Sequence, residues 1–550
     1  MDESTISLSH ADDIRPYRVH VSSKYLELTT KKLELTRLPH ELLLPQSQEW
    51  EQGTPKSEVE PLVDFCLVRQ PHADRRVVHH KRLEKYSWRD REEHLNTTIP
   101  QYRTTITIPA APGPYRVHFI HVTSPRENAI PLLLLPAFPL TNFALEPLLT
   151  PLADPETGTS TPTFHVVAPS IPGLGFSDAF TPASDATAAV LGDTAQIFNA
   201  LMLRLGYEDY LCSGTGSGST SPASIDYQLP RLLASKYPKN CRGIHIINPP
   251  IPEPTLSSSF ATWIRYFIAR LFQVPIFGYT AVDWEALSRS RRSYSSRPQS
   301  RSSQDPEAQA GAPTLMSTQN GVRNVGSNGL AYRAIGLLGL REPNTLAYAL
   351  CDSPVGLLSL MLNGLRRLSP DHKLSRSDVI DLTYLAWLPG PEAAMRYWSS
   401  AETEIQDGDT GNIPDWSETP TAVTVFVGDG QGDDGQGDNS LSRGYICPAW
   451  AKARHNVVWV ERREGRGGLV AWERTNAVVD GIRSLAGEVA KRDKRLMGAT
   501  LAEEMDDDDS TTVIDERESV RRGGKGVSPV EAGGPDTIVP SSFPLILDEL

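Results

Sequence analysis

The chain has 550 residues, a formal net charge of −13 and 39% hydrophobic residues. That length suits two or three modest domains, or one large domain with additions, and the acidic balance argues against nucleic acid or an anionic membrane surface as the main partner. The five cysteines (Cys66, Cys212, Cys241, Cys351 and Cys447) form no Cys-x-x-Cys pair, which points to reduced thiols and a cytoplasmic protein rather than a disulfide framework.

Residues 1–20 are polar and charged, so no signal peptide is expected, and the terminal Asp548-Glu549-Leu550 carries no weight as a retention signal. Residues 14–104 read as a helical leader. Apolar residues recur at helical spacing from Lys24 to Leu35 until Pro39 stops them, and a second helical pattern covers Glu58–Phe65. The basic stretch from Cys66 to Lys85 has no period. Its His79-His80 pair lacks a third ligand at a useful spacing, so neither a metal nor a cofactor is expected.

From about residue 104 the pattern changes to strands: Thr104–Ile108, Tyr115–Val122, Pro131–Leu135, Phe164–Ala168, Tyr210–Cys212, Gly243–Ile247, Ala422–Val427 and Asn456–Glu461. Pro131–Leu135 is an unbroken apolar run, as expected for a strand buried on both faces. Helical patterns over Asp185–Leu205 and Ile225–Lys236 separate several of these strands. Such alternation means βαβ units and a mostly parallel α/β sheet of about eight strands, with ligands at the strands' carboxyl ends.

Between about 252 and 400 helical pattern takes over, which reads as a lid inserted between core halves 105–251 and 401–494. Phe260–Gly278 is aromatic-rich but broken by Arg265 and Arg270, and so reads as an amphipathic lid helix rather than an integral membrane segment. Residues 288–328 are rich in Ser, Arg, Gln and Gly, and 495–550 form an acidic tail; both are expected to be disordered.

The stretch from Asp209 to Ser219 has the composition of a nucleophile elbow, a sharp strand-to-helix turn. Gly214, Gly216 and Gly218 are expected to permit positive φ in that turn. Gly216, where an elbow would carry its nucleophile, has no side chain.

Leu35-Thr-Arg-Leu-Pro39, Trp50, Trp88 and Leu95-Asn96 resemble the N-terminal domain of microsomal-type epoxide hydrolases. Phe119-Ile-His-Val122, Ala168-Pro-Ser-Ile-Pro-Gly-Leu-Gly-Phe-Ser177, the lid segment Pro343–Gly356 and Ala394-Met-Arg-Tyr397 continue the likeness. The resemblance implies an α/β-hydrolase core, a helical lid and an N-terminal arm around the lid. It also implies an activity: an elbow Asp attacks the epoxide, a His oriented by an acid activates water, and two lid tyrosines bind the epoxide oxygen. The likeness is greatest to fungal members, some of them in secondary-metabolite pathways, which implies a polyketide- or terpenoid-like substrate. The expected partners are a small apolar substrate or ligand and, at most, a second copy of the chain as a homodimer.

Residue by residue, the family's site is altered. The nucleophile position falls on Gly216 and its neighbour on Ser217; the His position falls on Gly468. The acid position is Asp429. One lid Tyr position falls on Trp398, with Tyr397 beside it, and the other on Ile335 or, with an insertion, on Tyr332. The oxyanion segment is Pro136-Ala-Phe-Pro139, whose backbone can still present an N–H at Phe138. Residues 219–226 exceed the family's compact elbow.

Replacements for the lost groups are few. Ser213, Ser217 and Ser219 are out of register for a Gly-x-Ser-x-Gly elbow. His455 precedes its strand, on the wrong edge of the sheet, and His165 and His245 read as core residues. Asp226 reads either as a carboxylate serving a helix dipole or as a displaced catalytic acid. Three functions therefore stand open. One is epoxide opening without a covalent ester, using Asp429 with Tyr332 or Tyr397. The others are a pseudoenzyme that only binds a small molecule, and an esterase built on Ser217 or Ser219.

Overall fold

The computed structural model describes residues 14–493 except 42–44, 46–48, 51–52, 68–85, 110–112, 157–160, 181–188, 257–259, 296–341, 369–373, 407–415, 429–444 and 466. Its centre is a nine-stranded sheet in the order β1-β2-β3-β5-β4-β6-β7-β8-β9. The strands are β1 (Arg15–Pro16), β2 (Gln101–Ile106), β3 (Tyr115–Val122), β4 (Ile130–Leu135), β5 (Phe164–Pro169), β6 (Tyr210–Ser217), β7 (Cys241–Ile247), β8 (Ser417–Phe426) and β9 (His455–Arg463).

β1 to β3 and the β3/β5 junction are antiparallel; every pairing from β5 through β4 to β9 is parallel. The apolar run of β4 pairs on both sides, with Leu132, Leu133, Leu134 and Leu135 all buried, as its sequence requires. This is the expected α/β-hydrolase sheet, with one more strand than the pattern gave. The addition is the two-residue β1, which lies, with the first residues of β2, inside the stretch 14–104 read as a helical leader.

The rest of that stretch holds α1 (Ser23–Glu34), α2 (Lys56–Leu67) and α3 (Trp88–Thr98). Ser22 and Ser87 cap α1 and α3 by accepting the N–H groups of Tyr25 and Asp90. Asn96 brackets Val19, accepting its N–H at 2.7 Å and donating to its carbonyl at 2.8 Å. The arm reaches the lid where the Trp387 indole N–H donates to Thr29 Oγ1 at 3.0 Å.

Helices α4 (Glu146–Ala153), α5 (Val190–Arg204) and α6 (Ile225–Lys236) belong to the first core half. The lid contributes α7 (Phe260–Phe272), α8 (Ala281–Ser295), α9 (Pro343–Asp352), α10 (Pro354–Leu368), α11 (Arg376–Trp387) and α12 (Glu392–Gln406). Short α13 (Val470–Glu473) and long α14 (Thr475–Ala490) follow β9. Among the described residues, no single helix is long and apolar enough to cross a membrane. The lid is fastened at α8, where the fully buried Asp283 carboxylate accepts from Arg462 Nε and Nη2, both at 2.8 Å, and from the Tyr445 hydroxyl.

Candidate active site

β6 does not break at Cys212 as its glycines suggested; it continues to Ser217. Between Ser213 and Ser217 it bulges against β7, four residues advancing where β7 advances two, from His245 to Ile247. None of Gly214, Gly216 or Gly218 has positive φ, which corrects the elbow expectation. The sharp backbone lies further on, at Ala223 (φ 48°) and Ser224 (φ 50°), directly before α6.

The three glycines serve close approach instead. Alternate residues of a strand share a face, and on that face β6 meets the first turn of α6. A Cβ on Gly214 would lie 2.9 Å from the Asp226 carbonyl oxygen, and one on Gly218 2.8 Å from Tyr227 Cβ. One on Gly216 would collide with the Asp226 carboxylate itself.

Asp226 therefore stands in the space that a residue-216 side chain would fill. Its Oδ1 accepts the Phe138 N–H at 2.8 Å, and the Ser221 side chain also hydrogen-bonds to it. Burial pushes the Asp226 carboxyl up to about 7, against the downward pull of these two hydrogen bonds. Residues 219–226 turn the chain back and deliver this group.

The carboxylate opens into a cavity of about 80 Å³. Its roof is α10, through Leu360, Met361 and Leu365, and its sides are the Ala137–Leu140 loop and residues 468–472. Among the described lining residues Asp226 is the only group that ionises. The Phe138–Pro139 peptide bond is cis.

At Gly468 the same substitution in space recurs. A Cβ there would collide with Glu473 Oε2, and would lie 2.9 Å from the Leu368 carbonyl. Glu473 also lines a second, polar hollow with Arg463, Glu464, Arg474 and Asn476.

The remaining sequence candidates fare differently. Asp429 and Tyr332, with Ile335, His79 and His80, lie outside the described residues. Tyr397 is buried behind Phe138, its ring 5.8 Å away, and its hydroxyl is 3.0 Å from Thr194 Oγ1. Neither Tyr397 nor the half-buried Trp398 lines the cavity. Ser217 does, with Asn248 Nδ2 donating to its Oγ at 3.2 Å and Ser219 Oγ at 3.3 Å.

Ser213 has a histidine partner, His245 Nδ1 at 2.9 Å, but that ring also meets Thr424 and is fully buried beneath the site. His455 opens β9 and meets the Tyr227 hydroxyl at 2.9 Å; His165 accepts the Ser124 N–H. Among the described residues no group of three His, Cys, Asp or Glu side chains is placed to hold a metal ion. Asp226 was legible only as one of two readings, and Glu473 not at all. The surplus of chain before α6 was the sole signal.

Residues 14–145 match the family model described as Epoxide hydrolase N terminus. The chain is 25% identical to epoxide hydrolase 1 of Sus scrofa, over 64% of this chain and 62% of that protein. Juvenile hormone epoxide hydrolase from the silkworm Bombyx mori is similar in structure, with a TM-score of 0.60 at 19% identity, over 87% of this chain and 95% of that one. Aspergillus niger epoxide hydrolase has a TM-score of 0.57 at 19% identity, over 86% and 96%. At such identities the structural likeness speaks for the fold, an α/β-hydrolase.

Proposed function

We propose that the chain, which is similar to epoxide hydrolases in its N-terminal residues 14–145 and along much of its sequence, opens the ring of a small apolar epoxide with Asp226 as the attacking carboxylate. The ester expected to be missing at Gly216 forms on Asp226 instead. Oδ2 attacks a ring carbon, the carbon–oxygen bond of the epoxide breaks, and the alkoxide takes up a proton. Tyr397 is turned to Thr194, which leaves Tyr332 as the lid tyrosine to test as proton donor. Oδ1 becomes the ester carbonyl oxygen, already beside the Phe138 N–H that would stabilise negative charge on it during hydrolysis.

One observation carries this reading: the Asp226 carboxylate fills the place of a residue-216 side chain, on a backbone N–H and open to an apolar cavity. That cavity is small beside the ~300–1,000 Å³ of common ligand sites, so the substrate is compact or α10 moves to admit it. The same closure favours the second reading, a non-catalytic binder in which Asp226 merely plugs the site. Incubation with a panel of small terminal, styrene-type and cyclic epoxides, with chiral analysis of diols and cyclised products, separates the two. Turnover that falls by ~10²-fold or more in Asp226→Asn supports the enzyme; binding without turnover supports the plug.

A further inference from the structure

We propose that Glu473 is the base that activates water against the Asp226 ester, a role that rests on the function proposed above. An ester on Asp226 regenerates only if a water beside it loses a proton as it attacks. Among the described residues the one ionising group that lines the cavity is then consumed in the ester, so a base among them must reach in from behind the wall. Three buried histidines among the described residues do not serve. His118 faces Ser170 and Gln101, His245 faces Ser213 and Thr424, and His455 faces Tyr227. All three are buried outside the lining, where burial lowers each to about 3.

Glu473 reaches the wall. It ends α13, whose residues 470–472 line the cavity, and its carboxylate folds back against Gly468, another lining residue. The absence of a side chain at 468 is what lets the carboxylate approach. On its other side Glu473 lines the polar hollow with Arg463, Arg474 and Asn476. It thus stands between an open hollow lined by charged side chains and an apolar chamber, separated from the latter by one glycine.

In the step proposed, the Glu473 carboxylate takes a proton from water as the water oxygen bonds to Asp226 Cγ. Negative charge gathers on Oδ1 against the Phe138 N–H. The Cγ–Oδ2 bond to the substrate then breaks and the departing diol oxygen takes the proton from Glu473. The water's second proton, left on the Asp226 carboxyl, returns to the group that protonated the alkoxide, and both carboxylates are restored. The net change is the addition of one water.

The test uses the full chain with styrene oxide, following intact mass and the Asp226-bearing peptide. Glu473→Gln is expected to alkylate at the wild-type rate, then hold the ester, with steady-state turnover down ~10²-fold or more. Gly468→Ala, which pushes the carboxylate off the wall without removing it, should accumulate the same ester and covers the case in which Glu473→Gln fails to fold. Glu473→Gln turning over like wild type with no ester build-up overturns the assignment while leaving Asp226 in place. Diol formation that survives Asp226→Asn overturns the underlying function and this proposal with it.

Discussion

The Asp226 carboxylate occupies the volume that any side chain on Gly216 would need. Two residues ten positions apart thus share one place in the site, and only because one of them is glycine. Replacing Gly216 should therefore cost stability through overpacking, ~1–3 kcal/mol for Gly216→Ala. Gly216→Asp adds a second carboxylate to that crowding and should yield no activity. Adding Asp226→Gly to either change should recover most of the loss. Denaturant melts of the four variants check this; a Gly216→Ala protein as stable as wild type would place the Asp226 carboxylate elsewhere.

Asp226 also sets a pH dependence. Its carboxyl is raised by burial to about 7, against ~3.9 in an unfolded chain. The folded state then holds its proton more tightly than the unfolded state. The resulting stability is fully present below about pH 4 and is lost as pH rises through about 7. Activity runs the opposite way, because attack needs the ionised form, so kcat/KM should climb through an apparent pKa near 7. Asp226→Asn should flatten that stretch of the stability curve. An acid limb of the rate profile near 4 would contradict the buried placement.

The fold was legible because its signals are local. The apolar run of β4, the alternation of β3 and the helical spacing of α1 and α6 need no tertiary information, and all four lie within a residue or two of their expected bounds. The site was not legible, for a physical reason. The glycines at 214, 216 and 218 look like a turn whether they bend the chain or admit a neighbour, and only packing tells the two apart. Asp226 at the second position of α6 reads as a dipole partner until the left-handed Ala223 and Ser224 turn it toward Phe138. Gly468 and Glu473 are five residues apart, with Glu473 closing the short α13, and nothing in their spacing announces that one fills the other's space.

The lid should depend on Arg462. Asp283 is fully buried and takes two hydrogen bonds from that guanidinium. Arg462→Ala strands the charge and should cost ~3–5 kcal/mol. Replacing both partners with apolar residues of similar size, as in Asp283→Leu with Arg462→Met, should cost far less. Hydrogen exchange over α8 reads the effect directly. Equal losses in the single and double variants would show that the pair matters by shape rather than by charge.

Asp429 offers a contrast. In the family pattern the acid at this position orients a histidine, and here that histidine position is Gly468. With no imidazole to orient, Asp429→Asn should change turnover by less than about threefold, well short of the ~10²-fold loss of a general acid–base group. A loss on that larger scale would return Asp429 to the mechanism.

Labelling in heavy-oxygen water tests the role of Asp226 most directly. If its carboxylate forms the ester and water then cleaves the acyl bond, the diol of the first turnover carries an ordinary oxygen taken from the protein. The Asp226-bearing peptide gains heavy oxygen in exchange. Label should appear in that peptide after turnover of a small epoxide, and Asp226→Asn should neither label nor turn over. Diol that acquires heavy oxygen from the first turnover, with the Asp226 peptide unlabelled, would mean that water attacks the ring directly and that Asp226 is not the nucleophile.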